Sequence, residues 1–356
     1  MSLGFESAGF AIRAAVDSDP IHVETYGRNF ADATTLCVDA AKLTGDRVRQ
    51  AAGLESGEIA VVFGGPPCQG FSVGGRRNRE DPRNSLIGEF ARLVLELRPR
   101  YFVLENVAGI LSDPVLEPLM AALDHLERSG YRTVRPIRVL DAADFAVPQR
   151  RKRAFILGFR DGLTAPEYPE PVLPAELASA PKVGDAFMDL DSDRTIAADG
   201  PMSLSHGYAA LMSGAVRAAD DRSLPRDRAP LGGMSRVAHS EEIRIRFERT
   251  RPGEREPVSR FHRLALDKVA PTLRAGSDRD NGSFTAPRPI HPTEPRCITV
   301  REGARLHSLP DWFQLHESKW HGFRQIGNAV PPLLAAAVAR QVFSALEASE
   351  RSIGAG

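Results

Sequence analysis

Cysteine is scarce: Cys37, Cys68 and Cys297 are the only three in 356 residues. An odd number at those separations builds neither a disulfide framework nor a zinc-ligand spacing, and it fits a reducing cytoplasm. Cys37 and Cys297 read as packing residues. Apolar runs of membrane-spanning length are missing, and the N-terminus lacks the basic-then-apolar pattern of a secretory signal. Charge of one sign is not in excess either. Lys and Arg number 46 and Asp and Glu 46, which excludes a surface basic all over but permits a local basic patch. Met1 to Phe10 reads at once as a helix ending at Gly9. The length allows one large domain or two ordinary ones.

What is present is organised around the stretch from Ile59 to Ser72. It begins as a β-branched and aromatic run, the pattern of a buried strand. It leaves the sheet at Gly64-Gly65-Pro66-Pro67, because proline cannot continue a hydrogen-bond ladder. Cys68 follows at once, then a glycine- and arginine-rich loop. A lone cysteine is often a small buried hydrophobe. A thiol on a rigid turn at a strand's carboxyl end also stands where open α/β sheets do chemistry, as a nucleophile would. Asn84 to Leu97 has apolar residues at helical spacing. Tyr101 to Leu104 is a second buried strand that ends on Glu105-Asn106-Val107. Glu105 is a salt-bridged structural residue or a carboxylate facing the same cleft as Cys68.

Elsewhere the local signals carry two readings each. Ala11 to Val16 is a short strand ending on Asp17, which suits a ribose hydroxyl or simple capping ahead of Asp19-Pro20. Asp39 is a ligand contact or a solvated loop residue. Asp113-Pro114 starts a helix to Ser129, and Val134 to Leu140 alternates like a strand. Gln149-Arg150-Arg151-Lys152-Arg153 directly precedes a buried strand. Arg151 and Arg153 alternate as strand residues do, so both are expected on one face. From about Pro166 prolines become frequent and periodicity fades. Between Arg217 and Arg263 twelve Arg stand against eight Asp and Glu, and Arg suits phosphate and guanine. Asn328, ahead of Pro331-Pro332, is expected at the N-terminus of an alanine-rich helix, as a plain cap or beside free N–H groups that favour an anion.

Gly64 to Ser72 resembles the catalytic Pro-Cys motif of the DNA cytosine-5 methyltransferases. Glu105-Asn106-Val107, Gln149-x-Arg151-x-Arg153, Arg301 to Phe313 and Gln325 to Pro332 are similar to further motifs of that family, in family order. The resemblance implies an α/β fold, Rossmann-like and S-adenosylmethionine-dependent, formed by 1–165 and 320–356, with a target-recognition domain at 166–319. It implies that Cys68 attacks carbon 6 of a flipped-out cytosine, that Glu105 engages the base, and that Arg151 and Arg153 hold the base or Glu105. Asp17, Asp39, Pro66, Asn328 and Ala329 would contact the donor, and Val73 to Arg83 would be a lid. Double-stranded DNA is the expected partner of a cytoplasmic monomer paired with a restriction endonuclease, and no metal is expected. The family's strand and glycine-rich donor turn before the first helix have no counterpart here. Weak donor binding, or a non-catalytic DNA binder, is therefore an alternative. Transfer-RNA methylation is another, although that branch has proline where Gly70 stands.

Overall fold

The structure is a computed structural model that describes residues 1–54, 58–66, 86–112, 116–190, 207–223, 231–276 and 288–354. In chain order its elements are α1 (Ser2–Ser7), β1 (Ala14–Asp17), α2 (Pro20–Asn29), β2 (Thr34–Cys37), α3 (Gly45–Ala51), β3 (Val61–Gly64), α4 (Leu86–Leu97), β4 (Tyr101–Val107), α5 (Leu116–Arg128), β5 (Tyr131–Thr133), β6 (Arg138–Asp141), β7 (Lys152–Arg160), α6 (Val183–Phe187), α7 (Tyr208–Ser213), α8 (Glu241–Arg249), α9 (Val300–Leu306), α10 (Lys319–Asn328) and α11 (Pro332–Gly354). The chain divides into two units. The first comprises Met1–Asp141, Lys152–Glu170 and Ala336–Gly356, and the second Ala142–Arg151 and Pro171–Ala335.

In the first unit β3 and β4 run parallel, β7 is antiparallel to β4, and the short strands β5 and β6 both pair with β7. The β-branched and aromatic run of β4 is buried from Tyr101 to Leu104, as a central strand covered on both faces requires. The helical spacing of α4 turns Ile87, Ala91 and Val94 inward against Leu119, Leu123 and Leu126 of α5 and against Phe102, Leu104 and Ile156 of the sheet. Each large apolar side chain removed from water there contributes about 1.5–3 kcal/mol. Asp19 caps α2 by accepting from the Ile21 N–H, with Pro20 in the first turn. β1 and β2 form a separate parallel pair. Among the described residues β1 pairs only with β2, and β3 only with β4.

Among the described residues of the second unit, buried arginines of α9 tie distant segments together. Arg305, fully buried on α9, is gripped by Asp311 at 2.9 and 2.6 Å and by both carboxylate oxygens of Asp189. Arg301 of the same helix donates to the carbonyls of Gly232, Pro310 and Phe313. Arg301 to Phe313 runs as helix α9 and then a turn.

Several expectations are corrected. Val134 to Leu140 is not one strand: β5 and β6 flank Pro136, which has no N–H for the ladder. Cys37 is exposed at the end of β2, whereas Cys297 is buried. Asn328 ends α10 rather than starting the following helix, which begins at Pro332. Pro331 disfavours helical geometry at Val330, so the chain extends for a few residues between the two helices. The stretch Lys319–Ser352 does contain a window apolar enough to cross a membrane, but 56% of that window is buried inside the protein. Its apolar face belongs to the core.

Candidate active site

The parallel register of β3 and β4 sets Gly64 beside Leu104. The residues that follow, Gly65-Pro66 and Glu105-Asn106, therefore emerge together at the carboxyl ends of the two strands. The Asn106 side-chain amide donates to the Pro66 carbonyl at 2.9 Å, and its oxygen accepts from the Val107 N–H. Both neighbours, Glu105 and Asn106, are buried. The Glu105 carboxylate meets Arg153 from β7, with Nε 2.9 Å from Oε1. Register explains the meeting: Arg153 lies opposite Val107, one diagonal step from Glu105. Burial pushes the Arg153 guanidinium below its ordinary value, and Glu105 works against that shift.

Gly65 makes this approach possible. A Cβ built there would lie 2.7 Å from Glu105 Oε2, closer than any contact allows. Cys68 and the loop Val73 to Arg83 lie outside the described residues, as do Asp113 and Pro114.

Arg151 has other partners. It stands just before β7 and is 1% exposed. Its guanidinium donates to the carbonyls of Leu273, Gly327 and Ala329 at 3.0, 2.7 and 2.9 Å. The two arginines thus do not share one face: Arg153 reaches a carboxylate, whereas Arg151 ties three backbone segments of the second unit together. The β7 ladder begins only at Lys152, so strand alternation does not reach back to Arg151. Beside it Gln149, also buried, accepts from the Leu273 N–H and donates to the Leu306 carbonyl and His307 Nδ1. His307 Nε2 then faces the Ala329 carbonyl at 3.0 Å. Gly327 fits only because it lacks a side chain, since a Cβ there would meet the backbone of Ala275 at 2.1 Å. Sequence reasoning missed the part played by Gly65 and His307. Consecutive glycines ahead of Pro-Pro were the available signal for the first. Nothing local marked the second.

Asp17 and Asp39 come to the same end of the β1–β2 pair. Asp17 pairs with Cys37, and Asp39 follows two residues later. Asp17 accepts from the Asp19 N–H at 2.9 Å and faces His22 Nδ1 at 3.4 Å. Desolvation raises its pKa, but the His22 and Asp19 contacts outweigh that and hold the carboxyl below its usual range. Asp39 accepts from the Ala41 N–H and caps a short turn. Asn328 is exposed, and the Ala329 carbonyl is shared between Arg151 and His307. Among the described residues no group of three or more His, Cys, Asp or Glu could hold a metal.

A mixed α/β unit with buried acid and base chemistry at parallel strand ends defines a class, and comparison with known proteins supplies the family. The description C-5 cytosine-specific DNA methylase matches residues 1–344. The chain is 46% identical to the Type II methyltransferase M.XorII of Xanthomonas oryzae pv. oryzae, over 97% of this chain and 82% of that one. It is 33% identical to the Type II methyltransferase M1.HphI of Haemophilus parahaemolyticus, over 96% and 83%. Among solved structures, one described as a prophage-encoded DNA modification methyltransferase of E. coli superposes with a TM-score of 0.79 at 30% identity, covering 97% of this chain and 96% of that one. The S. pombe Dnmt2 methyltransferase, at 16% identity and a TM-score of 0.56 over 98% of this chain and 95% of that one, shares the fold. The chain belongs to the C-5 cytosine-specific DNA methylase family. It is an enzyme that transfers a methyl group from S-adenosylmethionine to carbon 5 of cytosine in DNA.

The described residues fit part of such a donor. An ionised, partly exposed Asp17 at a strand end suits a ribose diol, and Asp39 beside it can accept from an amine.

Proposed function

We propose that Cys68 is the nucleophile and Glu105 the residue that engages the target base, with Arg153 holding Glu105. The observation that carries this is the Glu105–Arg153 pair, fixed beside Pro66 at the ends of two parallel strands, two residues before Cys68 in sequence. Carbon 5 of cytosine is a weak nucleophile. Addition of the Cys68 thiolate to carbon 6 pushes electron density onto carbon 5. Glu105, at ring nitrogen 3 and the exocyclic amine, stabilises the charge that builds in the ring. S-adenosylmethionine, when bound, supplies an electrophilic methyl group, and Asp17, Asp39, Pro66, Asn328 and Ala329 would hold it. Removal of the carbon 5 proton then expels Cys68 and restores the double bond. A cytosine inside a duplex is out of reach, so the base must be flipped out, with Val73 to Arg83 closing behind it.

The catalytic domain is proposed as 1–165 and 320–356, and the target-recognition domain as 166–319. All but the first five residues of that recognition segment lie in the second unit. The Type II methyltransferase names of the relatives support membership of a restriction–modification pair; to this we add a cognate endonuclease, a monomer on DNA and action in the cytoplasm. Incubating duplex DNA with labelled donor and digesting to nucleosides tests the reading. 5-Methylcytosine at one sequence is the expected result, and transfer to transfer RNA in preference to duplex DNA opposes it. Exchanging 180–263 with the matching segment of a relative should move the methylated site to the relative's.

A further inference from the structure

We infer that Glu256, in the second unit, is a positioning residue for DNA recognition, holding the hairpin tip 257–260 in one conformation before duplex DNA is met. This rests on the proposed role of 166–319 in target recognition and deepens it. Backbone hydrogen bonds define the hairpin. The Gly253 N–H donates to the Arg263 carbonyl and the Arg263 N–H to the Glu254 carbonyl, each at 2.8 Å, and Arg255 bridges His262 in antiparallel fashion. The Glu256 N–H donates to the Phe261 carbonyl at 2.8 Å, and the Arg260 N–H closes the tip on the Glu256 carbonyl at 2.9 Å. The base is anchored by Arg263, which is buried and donates from Nη1 to the carbonyls of Phe247, Glu248 and Thr250 at the end of α8, at 2.8, 3.0 and 2.9 Å.

A carboxylate fixes the tip. Glu256 is 1% exposed; its Oε1 accepts from the Val258 N–H at 3.1 Å, and its Oε2 accepts from the Ser259 N–H. Arg246 Nε stands 3.9 Å from Oε1. Burial alone would raise the Glu256 pKa, but the contacts with Ser259 and Val258 and the charge of Arg246 outweigh it and hold the carboxyl below its usual range. A buried carboxylate is costly unless it is hydrogen-bonded. This one spends both oxygens on the backbone of a surface loop.

That loop faces solvent. Val258 is 67% exposed, and Arg255, Pro257 and Arg260 are exposed beside it. Arg260 has a φ of 62°, in the left-handed region. The other described non-glycine residues with positive φ follow helical turns: Arg98 after α4, Ala146 after Ala142–Phe145 and Ser308 just beyond α9. Left-handed residues are usual at such ends. In a hairpin tip glycine takes this conformation at no steric cost. An exposed arginine kept there instead points to a side chain whose use lies outside the fold. A two-stranded ribbon can enter the major groove, and arginine suits phosphate and guanine. A tip that is already ordered loses less freedom on binding.

The test compares E256Q and E256D with wild type on two duplexes, the one the enzyme methylates and one with a single base pair of that site changed. In E256Q an amide NH₂ replaces one acceptor, so one backbone N–H loses its partner. Discrimination between the duplexes, in affinity and in kcat/KM, should fall on the order of ten-fold, within the range that one wrong base pair costs. Donor affinity by calorimetry and affinity for the altered duplex should be unchanged. E256D can accept from the N–H two residues on, as aspartate does in turns, and should restore most of the discrimination. Amide hydrogen exchange of the free protein should find Val258 and Ser259 protected in wild type and E256D and fast in E256Q. R260G, in which glycine takes the left-handed conformation freely, should fold and lose discrimination. Unchanged discrimination in folded E256Q or R260G, equal weakening of both duplexes, or an E256D as impaired as E256Q would overturn the inference and leave the target-recognition reading intact. A wild-type chain that treats the two duplexes alike would overturn both.

Discussion

Glu105 and Arg153 face each other diagonally across the β4–β7 pair, 2.9 Å apart and nearly shielded from water. Arg153 reaches this carboxylate from the strand that also covers β4, so sheet register and site geometry are the same fact. Removing one partner of a buried pair leaves the other charge stranded, at a cost of about 3–5 kcal/mol. Arg153→Ala should therefore lose stability on that order and lose methyl transfer more than donor affinity. Glu105→Gln, which keeps the shape, should abolish transfer while duplex binding persists. Equilibrium unfolding and single-turnover transfer check both. An Arg153→Ala chain with normal turnover would remove Arg153 from the account.

Gly65 is predicted to be intolerant for a local reason. A methyl group there would collide with Glu105 Oε2. The carboxylate would have to move by roughly an ångström, a displacement that costs on the order of 100-fold in rate. Gly65→Ala should show that loss in kcat with little change in duplex affinity. A rate within twofold of wild type would show that Glu105 tolerates the shift.

Arg151 is predicted to act on stability first. In Arg151→Ala the Leu273 and Gly327 carbonyls lose this donor while Ala329 keeps His307, and each unsatisfied buried acceptor costs roughly 1–3 kcal/mol, with incomplete additivity. Lysine cannot reproduce the fork that spans Leu273, Gly327 and Ala329. Both Arg151→Ala and Arg151→Lys should lower the denaturant midpoint. A folded Arg151→Ala protein of normal stability with lost activity would instead place Arg151 on substrate.

His291 gives a pH dependence with a definite sign. It is buried, and its Nδ1 accepts from the backbone N–H groups of Thr293 and Glu294. Burial is the leading cause that holds its pKa below the ordinary histidine value. The unfolded chain therefore binds a proton at a higher pH than the folded one. Stability should be retained above the unfolded value of about 6.5 and should fall as pH drops below it. The slope should be up to about 1.4 kcal/mol per pH unit until the folded value is reached. His291→Gln should flatten that part of the curve. An unaltered slope in the variant would assign it to other groups.

Legibility in the sequence tracks how local the physics is. The strands β3 and β4, the amphipathic α4 and the Asp19-Pro20 start of α2 were readable because periodicity and capping are short-range, although β3, expected to be buried, is only half-buried, whereas β4 is buried. So was the placement of Glu105 at a strand's carboxyl end. Arg151 was set on the Arg153 face by extending strand alternation one residue too far. Its three partners lie more than a hundred residues away, where no pattern points. Asn328 was moved to the wrong helix because Pro331-Pro332 signals a start without showing where the previous helix stops. Cys37 looked like packing because composition does not reveal that β2 belongs to a two-stranded pair with exposed ends.

The most direct test of the account is methyl transfer by Cys68→Ser, followed as labelled methyl groups incorporated into a target duplex in one turnover. The substitution removes the thiolate and very little volume. The account predicts no detectable 5-methylcytosine, with duplex affinity and its salt dependence close to wild type. A serine variant that methylates at a near-normal rate would contradict it, because carbon 5 would then be activated without the covalent step on which the roles of Glu105 and Arg153 depend.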